Sequence, residues 1–144
     1  MKNFGFVYPA RLAATSGAVL VRFPDLPEAL TEGTDERDAL VQAADCLEEA
    51  IAGRIRRGDD VPAPSRLRRG QRMIPVPAPM AAKAALYLAL REAKMTQLQL
   101  ATRLHCDEKE VRRLLDPRHP SKLPRLQQAL AHLGKRLVVE MQAA

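Results

Sequence analysis

The sequence predicts an α+β protein. A small N-terminal antiparallel sheet carries one helix, and an all-α region with a short terminal strand follows. Three observations lead there. Apolar residues alternate at first and then recur at every third and fourth position, the switch from strand to helix spacing. A proline-rich seam runs from Val61-Pro62-Ala63-Pro64-Ser65 to Ile74-Pro75-Val76-Pro77-Ala78-Pro79; it suits neither a long helix nor a central strand, and it sets the expected domains at 1–77 and 78–144. Charge divides as well. Residues 1–60 hold seven basic and eleven acidic residues, and residues 61–144 hold sixteen and six.

Composition narrows the classes. The 144 residues are 47% hydrophobic and 28% charged, a globular balance, with 3% aromatic residues and no Trp. No apolar run approaches the roughly 18 residues of a membrane span. The opening Met1-Lys2-Asn3-Phe4 has no apolar core, so no secretory leader is expected and the cytoplasm is the default. Cys46 and Cys106 stand far apart without a C-x-x-C, which argues against a disulfide framework or a structural zinc site. A basic half suits a polyanion such as nucleic acid, or is a solvated surface kept for solubility.

The elements follow in order. Phe4, Phe6 and Tyr8 alternate with Gly5 and Val7, and Val19, Val21 and Phe23 repeat that pattern. Thr15-Ser16-Gly17 between them makes a hairpin the simplest reading. Pro24 and Pro27 then interrupt, with a third strand expected near Ala29–Glu32. Thr34 is placed to cap a helix whose first turn holds Asp35, Glu36 and Asp38, acids suited to the positive end of the dipole. Leu40, Ala44, Leu47, Ile51 and Ile55 form its apolar stripe, and Gly58 closes it. Cys46, beside that stripe, reads as a small buried hydrophobe rather than a nucleophile. Met73–Val76 fits an edge strand, where prolines are tolerated.

Beyond the seam, Met80–Lys94 is composed of strong helix formers. Thr96 caps a second helix, Gln97–Leu104, and Asp107 caps a third, Glu108–Leu115. Three residues join these two, the short link of a helix-turn-helix. Leu123–Leu133 forms a further helix. After Gly134, Lys135–Met141 turns β-branched and reads as a strand that would pair with a second copy of itself, giving a two-fold dimer.

Tyr8-Pro9-Ala10, the string Phe23-Pro-Asp-Leu-Pro-Glu-Ala-Leu-Thr-Glu-Gly33, the Ala- and Glu-rich helix after it and Ile74-Pro75-Val76-Pro77 together resemble HicB antitoxins. The resemblance implies that the N-terminal domain is a partial RNase H-like fold, and that it covers the active site of a small HicA messenger-RNA interferase. Phe23, Asp25, Glu28 and Glu32 are the candidate toxin contacts, the acids suiting a basic partner that itself binds RNA. A nuclease of this fold would place an acid on its first strand, and Phe4–Ala10 has none. No catalytic residue, metal or cofactor is therefore expected.

Met95 to Leu115 is similar to the phage-repressor type of helix-turn-helix that many HicB antitoxins carry. The turn position usually held by Gly is His105, a departure that costs about 1 kcal/mol in a left-handed conformation. His105-Cys106 lacks partners at metal-ligand spacing. The resemblance places Glu108, Lys109 and Arg113 where base edges are read, and Gln97 at a backbone phosphate. Arg103, Arg112, Arg118 and Lys122 are further phosphate candidates, though each could be an ordinary solvated charge. The implied function is an antitoxin that binds a HicA-like toxin and represses its own operon through double-stranded operator DNA, as a homodimer or a dimer of dimers. The alternative is a plain helix-turn-helix repressor whose N-terminal domain oligomerises or senses a ligand.

Overall fold

Three strands in a meander, β1 (Val7–Thr15), β2 (Ala18–Phe23) and β3 (Leu26–Gly33), open the chain in the computed structural model, which describes residues 3–143. β4 (Gln71–Pro75) returns antiparallel beside β1, so the sheet order is β3-β2-β1-β4. The β1–β2 hairpin turns on Ser16 and Gly17. Gly17 lies at φ 79°, which a residue with a β-carbon adopts only at a cost. This two-residue loop fixes the register, setting Thr15 opposite Ala18 and Arg11 opposite Arg22.

β1 starts later and runs longer than the alternation suggests. Phe4 and Phe6 stay outside the ladder with their rings 4.7 Å apart, and Phe6 lends its carbonyl to the Val76 amide. β3 is also longer than expected and includes Pro27. It is an edge strand, and a ladder irregularity between Arg22 and Phe23 absorbs the turn at Pro24.

The helix α1 (Glu36–Arg57) lies across one face of this sheet. Its cap is Asp35 rather than Thr34. The Asp35 carboxylate accepts from the Asp38 amide at 2.8 Å, and Asp38 in return accepts from the Thr34 amide at 2.8 Å. Ala39, Ala43, Leu47, Ile51 and Ile55 are buried, while Leu40 and Ala44 are half-buried, so the stripe is rotated from the expected one. Gly33 lets strand and helix meet: a β-carbon there would stand 2.3 Å from the Ala39 nitrogen. Tyr8, Ala10, Val21, Phe23, Leu26 and Ile74 complete the core.

The proline-rich stretch after α1 is tied down without secondary structure. The Tyr8 hydroxyl donates to the Pro62 carbonyl at 2.6 Å, and its burial raises its pKa. The Asp25 carboxylate accepts from the Ser65 amide and hydroxyl at 2.9 and 3.1 Å.

The chain divides into two compact units between Ala81 and Ala82, within the helix α2 (Ala78–Glu92). The second unit holds most of α2, then α3 (Gln97–Leu104), α4 (Glu108–Leu115) and α5 (Leu123–His132). Leu86, Leu90, Leu100, Leu104, Val111, Leu114, Leu126 and Leu130 pack as its core, with Ala101 and Ala129 where helices approach closely. Lys135–Met141 has no strand structure in the single chain; the expected strand is one formed with a second copy. Leu137 packs on the helical core, while Val138, Val139 and Met141 are 81%, 90% and 96% exposed.

Candidate functional site

α3 and α4 are short, and their ends are unusually well tied. Thr96 and Gln99 form a reciprocal capping box: the Thr96 hydroxyl accepts from the Gln99 amide at 3.1 Å, and the Gln99 side chain accepts from the Thr96 amide at 2.9 Å. Asp107 caps α4 through the Glu110 amide at 2.9 Å. Between them His105 adopts φ 54° and ψ 43°, the left-handed geometry expected at that turn. Its amide and that of Cys106 close the end of α3 on Thr102 and Ala101.

With Val111, Leu114 and Leu115 turned inward, α4 leaves Glu108, Lys109, Arg112 and Arg113 exposed on its outer face. Among the described residues none of these four side chains has an ion pair or hydrogen bond. Glu110 behaves differently, holding Arg125 of α5 at 2.7 Å and so bracing α4 from behind. Gln97 is half-buried in the first turn of α3, and Lys122, exposed, precedes α5. Arg118 is exposed on the intervening loop. Arg103 is placed elsewhere: its guanidinium lies 3.4 Å from the His132 carbonyl at the end of α5. The structure thus brings Glu108, Lys109, Arg112 and Arg113 together on one helix face and leaves Arg103 off that face.

Sequence reasoning missed Lys83. It is 4% exposed, and its ammonium donates to the Arg113 and Leu114 carbonyls at 3.1 and 3.0 Å and to the Ser121 hydroxyl at 2.8 Å. The last carbonyls of a helix carry partial negative charge, so a cation there satisfies orphan acceptors and the dipole together. Burial still lowers the Lys83 pKa below the usual lysine value. The signal lay in the sequence, since Lys83 falls in step with Leu86 and Leu90 on an otherwise apolar stripe.

In the first unit the four candidate partner contacts scatter. Phe23 is 1% exposed and belongs to the core of the sheet unit. Asp25 is occupied with Ser65. Glu28 grips Arg54 bidentately at 2.6 and 2.9 Å, and the hydrogen bonds from that guanidinium lower its pKa. Glu32 is exposed. The charge division also shifts. Arg66, Arg68, Arg69 and Arg72 belong to the first unit, which through residue 81 balances eleven basic against eleven acidic residues; the whole net charge of +6 resides in the second.

Among the described residues no three His, Cys, Asp or Glu gather as a metal ion would require. Burial raises the pKa of both cysteine thiols, the opposite of an activated nucleophile. No described helix is long and apolar enough to cross a membrane.

Comparison with known proteins bears on these surfaces. A family model described as the HicB-like antitoxin of bacterial toxin-antitoxin systems matches residues 7–85. The sequence is 35% identical over 135 residues to Antitoxin HicB of Escherichia coli K12, covering 93% of this chain and 98% of that relative. It is 32% identical over 136 residues to Antitoxin HicB 1 of Photorhabdus laumondii, covering 94% and 86%. Antitoxin HicB of Pseudomonas fluorescens matches at 29% over 140 residues, 96% of each chain.

Proposed function

Since the chain belongs to the HicB-like family of bacterial antitoxins, we propose that it neutralises a HicA-like messenger-RNA interferase with its first unit and represses its own operon with its second. The observation that carries the second half is the outer face of α4. Three cations and Glu108 stand there without internal partners, on a helix capped, braced and anchored along its other side. We read α3, the turn at His105 and α4 as a helix-turn-helix whose α4 enters the major groove. Arg113 or Lys109 then pairs with guanine and Glu108 accepts from cytosine. Gln97, Arg112, Arg118 and Lys122 hold phosphates.

In the first unit, the meander β1–β2–β3 with α1 across it supports reading a partial RNase H-like domain. Asp25, Glu28 and Glu32 lie along β3 and the turn before it; Asp25 is held by Ser65 and Glu28 by Arg54, and the exposed Glu32 has the charge that suits an RNA-binding toxin. The proposed domains remain residues 1–77 and 78–144, acting in the cytoplasm without a cofactor. The exposed tail pairs with that of a second copy to give a homodimer that reaches two half-sites. Co-expression with the neighbouring small reading frame tests the reading. The expected result is a co-purifying complex in which RNA cleavage is silent and whose chain shifts a duplex carrying its own promoter. Purification without a toxin would leave only a plain repressor, and no shift would remove the DNA reading.

A further inference from the structure

The face of the sheet turned away from α1 carries an arrangement that folding does not explain. Arg11 and Arg22 stand directly opposite each other on β1 and β2, both exposed. Like charges opposed across a ladder are destabilising. Among the described residues neither side chain has a carboxylate or any other hydrogen-bonding partner. Their row continues to Gln71 of β4 on one side and to Leu30 of β3, 59% exposed, on the other. The turn before β4 brings more positive charge. Arg68 and Gln71 close it by mutual bonds of 2.7 and 3.1 Å, and a β-carbon on Gly70 would come within 3.9 Å of the Arg11 guanidinium. Arg66, Arg68 and Arg69 are exposed. Against these cations the face offers, among the described residues, one acid, Glu32, opposite Leu20.

We propose that this face grips the phosphate backbone of duplex DNA through Arg11 and Arg22, as a second contact in addition to that of α4. Guanidinium forks match phosphate oxygens in geometry as well as charge. A second copy is a poor occupant, because two-fold stacking of this face on itself sets arginine against arginine. Single-stranded RNA needs aromatic platforms for its bases. None stands here: Tyr8 and Phe23 are buried, and Phe4 and Phe6 precede β1. A toxin surface that binds RNA is itself basic and is repelled by the Arg11–Arg22 pair; the acid on this face, Glu32, stands two residues along the edge strand from Leu30. The inference rests on the DNA reading of the second unit, to which this face is joined in one chain, so that both could engage one duplex.

The test uses the full chain and a random-sequence duplex, with affinity followed by fluorescence anisotropy from 50 to 200 mM salt. Each lost phosphate contact lowers the slope of log affinity against log salt by about 0.9, so Arg11→Gln with Arg22→Gln should flatten it by about 1.8. The affinity lost across that salt range then shrinks by about tenfold. Arg11→Lys with Arg22→Lys should restore most of the slope, and urea unfolding should show the glutamine variant no less stable than the parent. An unchanged slope in a parent that does bind duplex overturns this inference alone, and loss of toxin capture in its place marks a protein interface. A parent that binds no duplex even at 50 mM salt overturns the reading of α4 as well.

Discussion

Arg113 and Lys83 occupy two sides of one helix end and divide its work. The Arg113 side chain points to solvent while its carbonyl accepts from Lys83. Arg113→Ala should cut discrimination between operator and competitor duplex by about 1–3 kcal/mol, read by competition binding, and leave toxin inhibition intact. Lys83→Met has a different signature. It strips two carbonyls and the Ser121 hydroxyl of a buried donor, and should destabilise the second unit by about 1–3 kcal/mol in urea unfolding. The pH dependence has a definite sign. Burial lowers the folded-state pKa, so the unfolded chain binds more protons between that lowered value and the ordinary 10.5. Stability from this group therefore rises with pH through that window, and the methionine variant should lose the rise.

At the scale of elements, the turn between α3 and α4 stores a small strain. His105 sits at φ 54°, where glycine is at ease and a side chain is not. His105→Gly should raise the stability of the second unit by about 1 kcal/mol, seen as a higher melting temperature with unchanged duplex affinity. This turn and both helix caps were legible in the sequence because they depend on neighbours a few residues apart. The hairpin was legible too, but not its register: the turn is the two residues Ser16-Gly17, with Thr15 in the ladder, and that sets Arg11 opposite Arg22. What could not be read depends on distant packing. Pro27 sits within β3 because β3 is an edge, and the stripe of α1 is rotated because Gly33 admits Ala39 at close range. The expected tail strand is of the same kind, since its ladder needs a second chain. At the candidate site, exposure of Lys109, Arg112 and Arg113 followed from helical spacing, whereas the displacement of Arg103 toward His132 depends on where α5 ends.

Across the whole molecule, assembly and integrity rest on the two segments without regular structure. Val138 and Val139 are almost fully exposed. Val138→Asp with Val139→Asp should convert the proposed dimer to a monomer in sedimentation and weaken promoter binding far more than binding to a single half-site. The other segment joins α1 to β4. It is held as far as Ser65 by Tyr8 and Asp25, after which Arg66, Arg68 and Arg69 stand in the open. Trypsin would find its easiest cut there. Yet β4 is laced to β1 from Val7 opposite Pro75 to Arg11 opposite Gln71, so the severed halves should elute together and separate only in denaturant. A scar in this loop would leave the molecule clasped like a closed buckle whose strap has been cut.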